Sequence, residues 1–226
     1  MIFRRIAMAM LMAVGAVALG GATTNWNNTV ARVDGGHRIG NPDAAVKLTE
    51  YVSYTCSHCA DFTREAQDAL KAGYVMPGKM SLEIRHLIRD PVDLTAAVLA
   101  NCGPAGKFPL NHSAFMLGQD KWMEAARKAT KAQQQRWYSG EQAARRRAIA
   151  SDLGFYAIME RRGYSRADAD RCLNDDATAE QIAKVSDRDW KKPGIGGTPS
   201  FAINDTVLAG THSWNLLSPQ LAARLQ

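Results

Sequence analysis

Several things are missing from this 226-residue sequence, and each absence closes a class of explanation. No apolar run reaches the roughly 20 residues that a membrane-spanning helix needs; the longest, Ile6 to Leu19, has 14. No internal repeat and no low-complexity segment is present. Charge of neither sign dominates. With 28 Lys and Arg against 22 Asp and Glu the formal net charge is +6, a mildly basic balance that does not imply nucleic acid. Cysteine is scarce, at four residues, and none lies near residue 22, which argues against a lipid-anchored N-terminus. There is one CxxC and no second, so a zinc clip lacks half its ligands.

What is present begins with an export signal. Arg4 and Arg5 precede the short apolar run, and Gly20, Gly21 and Ala22 follow it, as a signal peptidase prefers. Residues 1–22 are therefore expected to be a cleaved signal peptide, which lowers the net charge to about +4. In an oxidising compartment an even number of cysteines suggests disulfides. Four cysteines, Cys56, Cys59, Cys102 and Cys172, allow three pairings, and the sequence does not choose among them.

"VKLTEYV", residues 46–52, alternates and predicts a strand, with Glu50 placed among Val46, Leu48 and Val52 on one face. From Phe62 to Leu70 the spacing is helical, and Gly and Pro close the run. "MSLEIRHLI", residues 80–88, alternates again, so strand, helix and strand form a right-handed parallel crossover. From Asp90 to about Lys192 five segments read as helices and none as a strand. The triplet Arg145-Arg146-Arg147 is expected on a solvated helix face. "TPSFAIN" and "TVLAG" then predict a hairpin around Asn204-Asp205, and Ser218-Pro219 a final helix start.

Cys56 thus sits where a strand hands over to a helix. A two-residue spacer there makes a strained, exposed structural disulfide, and zinc wants two more ligands. A redox pair fits the placement. A thiolate at a helix N-terminus meets unpaired backbone N–H groups and the positive end of the dipole, and its pKa falls. Cys56 is the attacking sulfur on this reading, and Cys59, one turn in, the resolving one.

"CSHC" after a strand, an all-helical stretch, and then "GGTPSF" resemble the DsbA-like branch of the thioredoxin superfamily over most of the mature chain. The resemblance implies an α/β thioredoxin fold with a large all-helical domain inserted between a βαβ half and a ββα half. Residues 37–90 and 193–226 would form the thioredoxin-like domain and 91–192 the insert. It implies that His58 stabilises the Cys56 thiolate, that Glu50 is the buried acid beneath the pair, and that Pro199 is cis with Thr198 presenting its backbone to substrate. The sequence departs from the best-known enterobacterial members at Ser57 and Thr198, both of which tune potential. Relatives with a second disulfide make Cys102–Cys172 the expected structural bond, worth about 4 kcal/mol for a loop of 70 residues.

The implied activity is a periplasmic disulfide oxidoreductase that needs no cofactor or metal and oxidises reduced, unfolded exported proteins. A quinone-linked membrane oxidase of the DsbB type would reoxidise it. About 14 residues between Ala22 and His37 leave no room for the dimerisation domain of an isomerase, so a monomer is expected. A Cys56 pKa near ~4 would put the pair at about −180 mV, in oxidant territory. A reductase or isomerase of the same fold, and a peptide-binding chaperone with a vestigial CxxC, are the alternatives. His37, His86, His112 and His212 have no motif spacing and are read as structural, while Met116, Phe201 and Trp214 are candidates to line a peptide groove.

Overall fold

The computed structural model describes residues 24–225; the expected signal peptide lies outside them. Six strands form one mixed sheet: β1 (Val30–Val33), β2 (Gly36–Gly40), β3 (Val46–Val52), β4 (Met80–His86), β5 (Ser200–Ile203) and β6 (Thr206–Val207). Their order is β1-β2-β4-β3-β5-β6. Only β3 and β4 are parallel, as expected for strands joined by a crossover helix, here α1 (Ser57–Leu70). Strand β3 lies between β4 and β5, and Glu50 is in register with Ile84 on one side and Phe201 on the other. The acid therefore occupies the middle of the sheet, where both neighbours exclude water.

Eight helices lie between β4 and β5: α2 (Pro91–Ala100), α3 (Phe108–Leu117), α4 (Gln119–Lys128), α5 (Lys131–Tyr138), α6 (Gln142–Asp152), α7 (Phe155–Arg161), α8 (Arg166–Leu173) and α9 (Asp176–Asp189). The chain has the thioredoxin fold with this large helical stretch interrupting it. Two expected long helices are broken, at Gly118 and at Gly154, whose φ of +73° suits glycine. Helix α5 was not expected. Its start is a capping box in which Thr130 and Gln133 satisfy each other's backbone N–H groups. Nor was the β1–β2 hairpin, which adds an antiparallel edge outside β4. No described helix is long and apolar enough to cross a membrane.

Three details correct the sequence reading. The last helix, α10 (Trp214–Ala222), starts after Ser213, five residues before Ser218 and with no side-chain capping bond, and carries Pro219 inside it. Leu217 and Leu221, one turn apart, are fully buried, and Trp214 meets Phe62 edge-on at 6.4 Å; that burial outweighs the missing proline N–H. Arg146 is buried rather than solvated: it donates to the Leu173 carbonyl at 2.7 Å and pairs with Asp176. Met116 and Phe201 are fully buried core residues and line no groove, whereas Trp214 is half-buried.

Candidate active site

Strand β3 ends at Val52, and residues 53–56 turn the chain into α1. The Cys56 N–H bonds the Ser53 carbonyl at 3.2 Å, and Cys56 itself is the N-cap, with extended backbone (φ −94°, ψ 116°). Its carbonyl accepts the N–H groups of Cys59 and Ala60. An N-cap side chain ordinarily offers an oxygen to the N–H groups of the second and third helical residues. Here a sulfur takes that place; it makes no such capping bond, but the nearby backbone N–H groups of Cys59 and His58 favour its charged form. The Cys56 pKa is lowered from 9.0 to about 5, first by the hydrogen bond from the Cys59 thiol, against opposing burial, then by the Thr198 side chain, and last by the N–H groups of Cys59 and His58. As a thiol, Cys56 donates to the Thr198 carbonyl at 3.1 Å, a bond that belongs to the protonated form and is lost on ionisation.

The two sulfurs differ in access and in acidity. Cys56 keeps 5% exposure and Cys59 none; neither is bonded. Burial pushes the Cys59 thiol well above its usual range, helped by the Cys56 sulfur and by the charge of Glu50. Glu50 is itself 3% exposed, its Oε1 has no hydrogen-bond partner, and burial lifts its pKa to about 8. It lines a small cavity of about 30 Å³ with Thr63, Gln67, Lys71 and His112 among the walls. The rest of the wall is apolar, from Ile39, Phe62, Leu70, Leu82, Ile84 and Pro109, so the acid faces a largely dry surface.

On the other side of Cys56 lies the Thr198–Pro199 bond, which is cis. Strand β6 pairs only with Ala202 and Ile203, so the backbone just before β5 has no strand outside it. Two further residues reach this cluster without any motif to announce them. His212 bonds the Pro199 carbonyl through Nδ1 at 2.7 Å. Gln119, buried at the start of α4, donates from Nε2 to the carbonyls of Tyr54 at 2.6 Å and Cys56 at 2.9 Å. The His58 ring, by contrast, is exposed, and among the described residues no hydrogen bond joins it to Cys56; the residue reaches the sulfur through its backbone N–H. His37, His86 and His112 are buried together around Phe108, and burial lowers their pKa values to about 3, 4 and 3. Cys102 and Cys172 are bonded to each other, away from the pair, with Cα atoms 5.7 Å apart.

A family model described as Thioredoxin matches residues 32–223. The chain belongs to the thioredoxin family. Within it the fold is DsbA-like: the crystal structure of Wolbachia pipientis alpha-DsbA1 superposes with a TM-score of 0.67 at 21% identity, covering 86% of this chain and 92% of that one. The crystal structure of a protein-disulfide isomerase from Novosphingobium aromaticivorans superposes at 0.82 with 47% identity, covering 85% of this chain and 98% of that one. A Rickettsia typhi protein, provisionally named a protein-disulfide oxidoreductase, is 31% identical over 74% of this chain. This thioredoxin-family chain spans 53% of that relative, about half its length.

Proposed function

We propose that the chain is an exported thiol:disulfide oxidoreductase that introduces disulfides into reduced, unfolded exported proteins. The observation that carries this reading is the inequality of the two thiols: Cys56 at a helix start with its pKa near 5, Cys59 sealed and held protonated. In the oxidised enzyme a substrate thiolate attacks the Cys56 sulfur, and the Cys56–Cys59 bond breaks with its electron pair leaving on Cys59. Glu50, protonated below about 8, supplies the proton that Cys59 needs. A second substrate thiolate attacks the substrate sulfur of the mixed disulfide, and Cys56 leaves as a stable thiolate. Substrate loses two electrons and the CxxC gains them. Thr198 and Pro199 offer backbone to an extended substrate strand. On this reading residues 37–90 with 193–226 are the redox domain, which β1 extends, and 91–192 the insert. Reoxidation falls to a membrane oxidase of the DsbB type, and the site of action is the periplasm.

At pH 7 a thiol ionising near 5 is about 2 pH units past its midpoint, which favours the reduced form by at most about 2.7 kcal/mol, or about 60 mV. Thioredoxin's own cysteine ionises near 7 and its potential is roughly −270 mV, so this effect places the pair at about −210 mV. That is less oxidising than a pKa near ~4 would give. An intermediate potential also suits isomerisation, the activity in the name of the Novosphingobium relative. Equilibration with glutathione gives the potential, and two substrates separate the roles. Reduced, unfolded ribonuclease should gain disulfides as Cys56–Cys59 is consumed. If only scrambled ribonuclease is repaired, the isomerase reading stands. If the pair merely reduces insulin, neither does.

A further inference from the structure

A second buried acid near the pair has no part in the reaction as written. Asp93, in the first turn of α2, is fully buried. It is not needed to cap that helix: Asp90 is the N-cap and accepts the Asp93 N–H at 2.8 Å. The Asp93 carboxylate points instead at the segment that carries Cys56. Ser53 Oγ donates to Oδ2 at 2.6 Å, the Tyr54 N–H to Oδ1 at 2.7 Å, and the Arg89 N–H to Oδ2 at 3.0 Å. A buried carboxylate is costly and becomes tolerable only when its oxygens are filled in this way. An apolar side chain of similar volume would pack there without that cost, so stability alone does not explain an acid at this place.

The two donors from β3's end are the start of the redox turn. The Ser53 carbonyl receives the Cys56 N–H, and the Ser53 N–H favours the Cys59 thiolate. Thr55 Oγ1 is held by Asp90 at 2.8 Å. Each residue between β3 and Cys56 is thereby tied to the N-terminus of α2. We propose that Asp93 is a positioning residue for the redox pair, holding the Ser53–Cys56 turn from the helical stretch and so fixing where both sulfurs sit against their donors. Its carboxylate oxygens bond Ser53, Tyr54 and Arg89 rather than either sulfur. The effect travels through the turn.

The inference rests on Cys56–Cys59 being the redox pair, and its test carries that control inside it. Thiolate absorbance against pH and equilibration with glutathione are measured on the wild type, Ser53→Ala, Asp93→Asn, Asp93→Ala and the Ser53→Ala/Asp93→Asn double variant. A wild type that does not cycle between dithiol and disulfide removes the functional reading itself. With a cycling wild type, Asp93→Ala should raise the Cys56 midpoint by about 1 pH unit, a tenfold fall in its acid constant, and move the potential in the reducing direction. Ser53→Ala and Asp93→Asn should shift it the same way by less, and their effects should not add, because they share one hydrogen bond. If Asp93→Ala does not fold, those milder variants decide. Wild-type midpoint and potential in both Ser53→Ala and Asp93→Asn would overturn the role, as would fully additive shifts.

Discussion

The molecule holds two pairs of cysteines at opposite ends of helices. Cys56 is the N-cap of α1. Cys102 lies two residues past the end of α2, and Cys172 is in the last turn of α8. A helix favours negative charge at its first turn and disfavours it at its last, by about 0.3–1 kcal/mol at each exposed end. A thiolate is therefore welcome at Cys56 and unwelcome at both members of the other pair. Thiol–disulfide exchange needs a good leaving thiolate. The chemistry of the four side chains is identical, so the surrounding backbone decides which bond cycles and which endures.

The largest effect should come from breaking the first pair. Cys56→Ala should reduce disulfide transfer to the level of free thiol in solution, while in Cys59→Ala the Cys56 thiolate should attack a disulfide-bonded probe protein, release one of its sulfurs as a thiol and stay joined to the other as a stable mixed disulfide. Retention of full transfer by Cys56→Ala would favour a chaperone whose CxxC is incidental. The second pair should behave in reverse. Cys102→Ala/Cys172→Ala should keep transfer but lose about 4 kcal/mol of stability, from the 70-residue loop the bond closes. Graded reduction followed by peptide mapping sharpens the contrast: Cys56–Cys59 should open first. Simultaneous opening would erase the distinction between helix ends.

The next effect is a matter of pH. Glu50 ionises near 8 in the fold and near 4.5 when exposed, so between those values the native state binds the extra proton. Its contribution to stability is complete below about 4.5 and is lost as pH rises through 8, on the order of 5 kcal/mol in all. Glu50→Gln removes that slope. Urea melts of wild type and variant should therefore converge or cross as pH rises from 5 to 8, the variant losing less. Parallel losses would mean that Glu50 is already ionised in the fold. The same variant should slow release of Cys59 during transfer, since the proton donor is gone.

How much of this was legible beforehand follows from the range of the signals. Cys56 at a strand–helix junction is a local fact, visible in thirteen residues. Glu50 was visible because a carboxylate interrupts a period of two. The β1–β2 hairpin had a local sign too, the Asp34-Gly35 turn, but four- and five-residue strands carry little periodicity, and Arg32, His37 and Arg38 interrupt what apolar pattern there is. Asp93 and Gln119 had none. Asp93 reads in sequence as an ordinary first-turn acid, and Gln119 as one polar residue among many. Their meaning comes from contacts 39 and 63 positions away, to Tyr54 and Cys56. Arg146 shows the same limit, since a solvated triplet and a buried arginine with a carbonyl and a carboxylate look alike until α8 and α9 arrive.

The smallest effect tests which part of His58 matters. The resemblance to DsbA-like proteins assigns the thiolate's stabilisation to the ring, yet here the ring is exposed and the backbone N–H favours the charged sulfur. An exposed ring acts across solvent, where screening leaves little of its field. His58→Ala should then leave the Cys56 midpoint near 5, within a few tenths of a pH unit. His58→Pro is the informative partner. It deletes the N–H in the first turn, where proline is tolerated because that N–H closes no helical bond. The Pro variant should raise the midpoint, and the Ala variant should not. An upward shift of a unit or more in His58→Ala would return the role to the imidazole, and the contrast between helix ends would then be partly a contrast between side chains.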